Sequence, residues 1–153
     1  MIRKITEEDI LALQNVLESI ELFPPEILPE MISDFFENPD TEHLWYTYLQ
    51  NEVPIALMYC APEMLTDGTC NLYAIGVAKA HQAKGIGKAL LAYLEEVLRQ
   101  QGKRILIIET SGADEMEPVR KLYEACGYQL EATLHDFWQE GEDKVVYQKY
   151  LLR

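Results

Sequence analysis

His81-Gln82-Ala83-Lys84-Gly85-Ile86-Gly87-Lys88 stands between a β-rich stretch, residues 69–78 (TCNLYAIGVA), and a strongly periodic helical one. In the latter, Ile86, Ala89, Leu90, Tyr93, Leu94, Val97 and Leu98 fall on one stripe, and Gly102 supplies a C-terminal cap. Two glycines let the loop backbone approach a ligand closely. The unspent N–H groups of the helix start, together with the helix dipole, favour an anion there. Lys84 and Lys88 add positive charge to the same turn. The loop is not a P-loop, because Lys88 is followed by Ala89, and not a dinucleotide fingerprint, because Leu90 stands where the third glycine belongs. The missing Lys-Ser/Thr pair and Mg²⁺ ligands also disfavour ATP.

Working outward, residues 2–5 alternate like a short strand, and Thr6 reads as an N-cap with Asp9 in a capping-box position. Ile10, Leu13, Leu17 and Ile20 mark an apolar helical face, which Pro24-Pro25 ends. A second short helix spans about 26–37, before Asn38-Pro39. Residues 43–50 and 53–61 form a hairpin around Asn51-Glu52, and their aromatics read as sheet packing. Residues 104–110 make a buried-looking strand, Pro118 opens a helix with Val119, Leu122 and Tyr123 on one face, and Gly127 closes it. Strands at 128–135 and 144–151 flank the turn 140–143. The order β-α-α-β-β-β-α-β-α-β-β predicts an α/β fold: a mixed sheet with helices on both faces.

With 153 residues, 48% apolar and 25% charged, the chain has the make-up of one globular domain. No apolar run approaches the length of a membrane span, and MIRKITEEDI has no apolar signal core. Cys60, Cys70 and Cys126 are odd in number and widely spaced, which argues against a disulfide framework or a thiolate metal site and for a cytoplasmic setting. The net charge of −13 is unevenly spread: residues 1–78 hold two basic groups, Arg3 and Lys4, against 14 acidic ones. No dense basic stripe exists for nucleic acid. The acidic half is either a solvated face or a surface that attracts a cationic partner.

Gly76 interrupts the strand before the loop, and a strand-interior glycine marks a bulge or a close backbone approach. A bulge leaves N–H groups of Ile75, Gly76 and Val77 available to an extended, amide-containing ligand. A pyrophosphate on the loop and an amide chain along the strand together describe coenzyme A.

Leu72-Tyr73-Ala74-Ile75-Gly76-Val77, then Gln82-x-x-Gly85-x-Gly87 and a long helix, resembles the acetyl-CoA site of the GCN5-related N-acetyltransferases (GNAT). Glu109-Thr110-Ser111, the run Glu117-Pro118-Val119-Arg120-Lys121-Leu122-Tyr123-Glu124-x-x-Gly127-Tyr128, and the ending from Asp136 to Lys149 resemble later motifs of the same family. The resemblance covers about residues 69–150. It implies a single-domain fold, with a mostly antiparallel sheet, whose half 1–68 faces the acceptor and whose half 69–150 binds acetyl-CoA.

By the same resemblance the backbone at Val77 or its neighbours contacts the acetyl oxygen, and Gln82, Ala83, Lys84, Gly85, Ile86, Gly87 and Lys88 hold the pyrophosphate. Tyr123 matches the family's general acid towards the departing thiolate. The strand before the loop offers no acidic residue at Leu72 to Ile75, so Glu109, at the end of the next strand, is the candidate base, with a water chain as the alternative. Asp114 and Glu115 occupy the stretch where many members carry an asparagine. The expected reaction is acetyl transfer to a primary amine of a cationic small molecule or peptide, with no metal, nucleic acid or membrane involved. The rival is a CoA-binding module without turnover. A final strand such as 144–151 is open to pairing across a homodimer.

Overall fold

The computed structural model describes residues 1–153. In chain order it contains β1 (Ile2–Lys4), α1 (Ile10–Glu18), α2 (Leu28–Glu37), β2 (Leu44–Gln50), β3 (Val53–Pro62), β4 (Thr69–Val77), α3 (Ile86–Gln100), β5 (Ile105–Ser111), α4 (Glu117–Ala125), β6 (Gln129–Gln139) and β7 (Glu142–Tyr150). This is the order read from the sequence. Seven strands form one open, mostly antiparallel sheet in the order β1-β2-β3-β4-β5-β7-β6. The β4–β5 pair is parallel, from Thr69↔Ile105 to Leu72↔Ile108, and the long helix α3 provides the crossover a parallel pair requires. The chain folds as two compact units, one of residues 1–62 and 73–94, the other of 63–72 and 95–153. The phosphate-loop stretch therefore belongs to the same unit as the N-terminal helices and strands.

In the first unit, Asp9 anchors the start of α1. Its carboxylate accepts two hydrogen bonds from the Arg3 guanidinium, at 2.7 and 2.9 Å, and one from the Thr6 backbone N–H at 2.8 Å. A single 3-10 turn, Glu7–Asp9, precedes the helix proper, and Ile20 lies beyond its end, not on its face as the spacing suggested. Leu13, Val16 and Leu17 of α1 pack with Leu28 and Ile32 of α2 and with Trp45 and Leu57 of the sheet. At the hairpin tip Asn51 and Glu52 both take positive φ, 50° and 67°, the twist that a two-residue turn needs to match its strands.

In the second unit, α3 ends as its glycine predicts: Gly102 has φ +77° and the Lys103 N–H reaches back to the Leu98 carbonyl at 2.9 Å. The helix α4 closes the same way, with Gly127 at φ +93° and Tyr128 N–H on the Tyr123 carbonyl at 3.0 Å. A charged group lies in the apolar stripe of α3: Glu95 is buried, accepting from the Tyr128 hydroxyl and from Lys149 Nζ, both at 2.8 Å. The final strands run further into their turn than the sequence suggested, to Gln139 and from Glu142. Asp136 at φ +57° kinks the ribbon, and Gly141 N–H donates to its carboxylate at 2.8 Å. Pairing of β7 across a dimer is overturned, because β7 is hydrogen-bonded on both edges, to β5 and to β6. The sheet's free edges are β1 and β6.

The Arg3 guanidinium holds the Asp9 carboxyl below its ordinary value. A depressed carboxyl stabilises the fold above the ordinary carboxylate range, near pH 4, and the contribution is lost as pH falls through the folded value. Asp9→Ala is expected to cost about 1–2 kcal/mol at neutral pH, and much less near pH 2, in denaturant melts at the two pH values.

Candidate acetyl-CoA and acceptor site

From the end of β4 the chain makes one 3-10 turn, Lys79–His81, before the loop. The Gln82 side-chain amide donates to the Val77 carbonyl at 3.1 Å, tying the loop to the strand end. Ala83 and Gly85 then adopt φ +60° and +84°, two left-handed residues that turn the chain into α3. Ala89 N–H bonds the Gly85 carbonyl at 3.0 Å. The N–H groups of Ile86, Gly87 and Lys88 are consequently those that an α-helix leaves without an internal partner. Gln82, Ala83, Lys84, Gly85 and Lys88 are exposed, and a Cβ on Gly85 would meet nothing within 4 Å. Space, oriented donors and two lysines therefore coincide, which suits a phosphate group.

In β4, Tyr73 stacks on Tyr59 of β3, with ring centroids 5.4 Å apart. A Cβ at Gly76 would lie 3.8 Å from Leu57 of the same strand, and 2.6 Å from Ile20 and 3.0 Å from Leu22. Leu57 and Tyr59, two apart in a regular stretch of β3, share a face. Residues 73 and 76 cannot share a face under strict alternation, so β4 slips by one residue between them, as the strand glycine suggested. Such a slip withdraws backbone N–H groups from the ladder around Ile75 to Val77. The close approach at Gly76 comes from the chain following α1, which no local signal announced.

Tyr123 and Glu109 belong to the other unit. Tyr123, on α4, is 4% exposed, with Tyr128 and Tyr147 rings 6.2 and 6.0 Å away. Burial pushes its phenol well above the ordinary value near 10. This side chain keeps its proton at any physiological pH, as a proton donor must.

Glu109 of β5 is held on both oxygens. Asn71 Nδ2 donates to one at 2.8 Å, and Lys144 Nζ forms an ion pair with the other. The same Asn71 nitrogen donates to Glu63 Oε1 at 2.8 Å. Asn71 is 1% exposed, so this amide clamps two carboxylates inside the sheet. The sequence reading missed Asn71: a single polar residue in an apolar strand was the available signal, and its partners lie 8 and 38 residues away. Beyond β5, Arg120 Nη1 donates to the Ser111 and Ala113 carbonyls at 2.8 and 2.7 Å and shapes the loop where Asp114 and Glu115 stand.

With this geometry, residues 9–128 match the Acetyltransferase (GNAT) family. The chain belongs to that family. It is 36% identical over 64 residues to YsnE of Bacillus subtilis, described as an uncharacterized N-acetyltransferase; the match covers 42% of this chain and 40% of YsnE. A Desulfovibrio desulfuricans protein assigned to the GNAT acetyltransferases superposes with a TM-score of 0.91 at 29% identity, over 99% of this chain and 98% of that one. The ribosomal-protein-S18-alanine N-acetyltransferase of Escherichia coli shares the fold, with a TM-score of 0.80 at 20% identity over 100% and 94% of the two chains.

Gly85→Ala and Gly102→Ala each place a Cβ at positive φ in open space, so both are expected to cost about 1–2 kcal/mol of stability. Only Gly85→Ala is expected to weaken acetyl-CoA binding, by about tenfold in calorimetric titration.

Proposed function

We propose that the protein is an acetyl-CoA-dependent N-acetyltransferase that transfers the acetyl group directly to a primary amine of a cationic small molecule or peptide. The observation that carries this reading is the joined strand end and loop: the slip in β4, the Gln82 bond to Val77, and the left-handed turn into α3. Backbone N–H groups of Ile75, Gly76 and Val77 would bind the acetyl oxygen and the amide chain of the cofactor. The turn from Gln82 to Lys88 would hold its pyrophosphate.

In the proposed reaction the neutral amine attacks the thioester carbonyl carbon, and the tetrahedral oxyanion is stabilised by strand N–H groups. The carbon–sulfur bond then breaks, Tyr123 gives its phenolic proton to the thiolate, and the nitrogen loses a proton to Glu109, leaving an amide and CoA. Residues 1–78, with 14 acidic groups against two basic ones, supply the field that favours a cationic acceptor.

A CoA-binding module without turnover is the second reading. The occupation of both Glu109 oxygens by Asn71 and Lys144 favours it, since it ties up the proposed base.

Thiol release from acetyl-CoA, followed at low salt with polyamines, aminoglycosides, amino acids and lysine peptides, tests the two. Turnover with cationic acceptors, with an acceptor KM that rises with ionic strength, is expected. Silence from protein that binds acetyl-CoA would favour the second reading. Tyr123→Phe should lower kcat by about a hundredfold or more, with acetyl-CoA affinity nearly unchanged. Because its phenol lies above the ordinary value, the alkaline loss of kcat due to Tyr123 should begin only above about pH 10. Glu109→Gln, which keeps an acceptor for Asn71, should also cost about a hundredfold; an unchanged kcat would give the amine's proton to water instead.

A further inference from the structure

We propose that Tyr73 is a specificity-determining residue for the acceptor, and that the acceptor carries a second cationic group beside the amine that reacts; this rests on the acetyl-transfer reading above. Three rings run across neighbouring strands of one unit: Trp45 in β2, Tyr59 in β3 and Tyr73 in β4. Trp45 and Tyr59 stack at 4.2 Å with 6° between planes, and Tyr59 and Tyr73 at 5.4 Å with 29°. Exposure rises along the row. Trp45 is 0% exposed, Tyr59 is half-buried and Tyr73 is 47% exposed. The row starts in the core and ends at the surface, on the strand whose next residues carry the proposed acetyl contacts.

A ring stacked on a neighbour spends little conformational entropy on a ligand, and the faces of an aromatic ring carry the negative end of its quadrupole. The unit that carries the row is acidic as a whole. The unit of residues 1–62 and 73–94 holds twelve acidic and five basic residues, and three of its lysines lie in the stretch 79–88. Beside the row, the His43 ring packs on Tyr59 with centroids 5.4 Å apart, and the Asp34 carboxylate lies 3.6 Å from His43 Nδ1. An exposed ring in an acidic setting attracts ammonium or guanidinium groups.

Chemistry separates two nitrogens. The attacking amine must shed its proton, and a place that stabilises a cation opposes that loss. The group resting on Tyr73 is therefore a second cation, and the acceptor is a diamine in the broad sense, from a small molecule or a dibasic peptide.

The test compares 1,4-diaminobutane and lysyl-lysine with n-butylamine, in kcat/KM with acetyl-CoA and in calorimetric binding in the presence of CoA. Wild-type protein should prefer at least one dibasic compound over the monoamine by tenfold or more, and which one identifies the source. Tyr73→Leu should reduce that preference by about three- to thirtyfold, whereas Tyr73→Phe keeps it. Acetyl-CoA affinity should be the same in all three proteins. Should Tyr73→Leu not fold, Tyr73→Met replaces it. A preference that is absent, or unchanged in the non-aromatic variant, overturns the inference while leaving acetyl transfer intact. If no amine is acetylated, the acetyl-transfer reading fails, and calorimetry still decides: weaker dibasic binding by Tyr73→Leu supports the cation subsite, and equal binding overturns it.

Discussion

Strand β4 cannot alternate simply, because Tyr73 and Gly76 both face the side of the sheet occupied by Leu57 and Tyr59. One slipped residue reconciles them, and much of the candidate site follows from it. The slip turns Tyr73 onto the aromatic row and seats a residue without a side chain beneath Ile20 and Leu22. In the proposed site, the N–H groups that such a slip would free from the ladder are the donors to the acetyl oxygen. Past it, the Gln82 bond to Val77 and the left-handed pair Ala83 and Gly85 carry the chain straight into α3. Strand, loop and helix N-terminus thus form one continuous backbone surface.

The unit of residues 63–72 and 95–153 solves a different problem, that of keeping polar groups inside a sheet. Asn71 joins Glu63 and Glu109, Lys144 neutralises Glu109, and Glu95 is matched by Tyr128 and Lys149. Each buried charge has a partner, as the cost of an uncompensated one requires. Tyr123 differs from these groups: its phenol is raised by burial alone, without a carboxylate beside it. Burial keeps that phenol protonated throughout the physiological range, which the role proposed for it requires.

Much of this was legible in residue order, because it rests on local rules. Asn51-Glu52, Gly102 and Gly127 are backbone devices whose conformations depend on neighbours a few residues away, and each stands where expected. The strand glycine Gly76 predicted the slip for the same reason. Long-range pairing was not legible. Nothing near Asn71 says that it spans two carboxylates, and the apolar stripe of α3 hides Glu95 until Lys149, 54 residues on, is in place. The strands of the last hairpin are longer than expected because Asp136, His135 and Asp143 look like turn residues. They are instead the polar clamp of a kinked strand, with Asp136 N–H on Asp143 Oδ1 at 3.1 Å. The dimer edge was misassigned because sequence order does not reveal that β7 lies inside the sheet.

The slipped strand and the loop after it form the proposed acetyl-CoA site. The most direct test is a backbone amide titration by NMR, adding CoA and then acetyl-CoA to the intact protein. The largest shifts are expected on Ile75 to Val77 and Ala83 to Lys88, with the strand amides responding more to acetyl-CoA than to CoA. Shifts centred elsewhere in the chain, with these two segments unmoved, would contradict it.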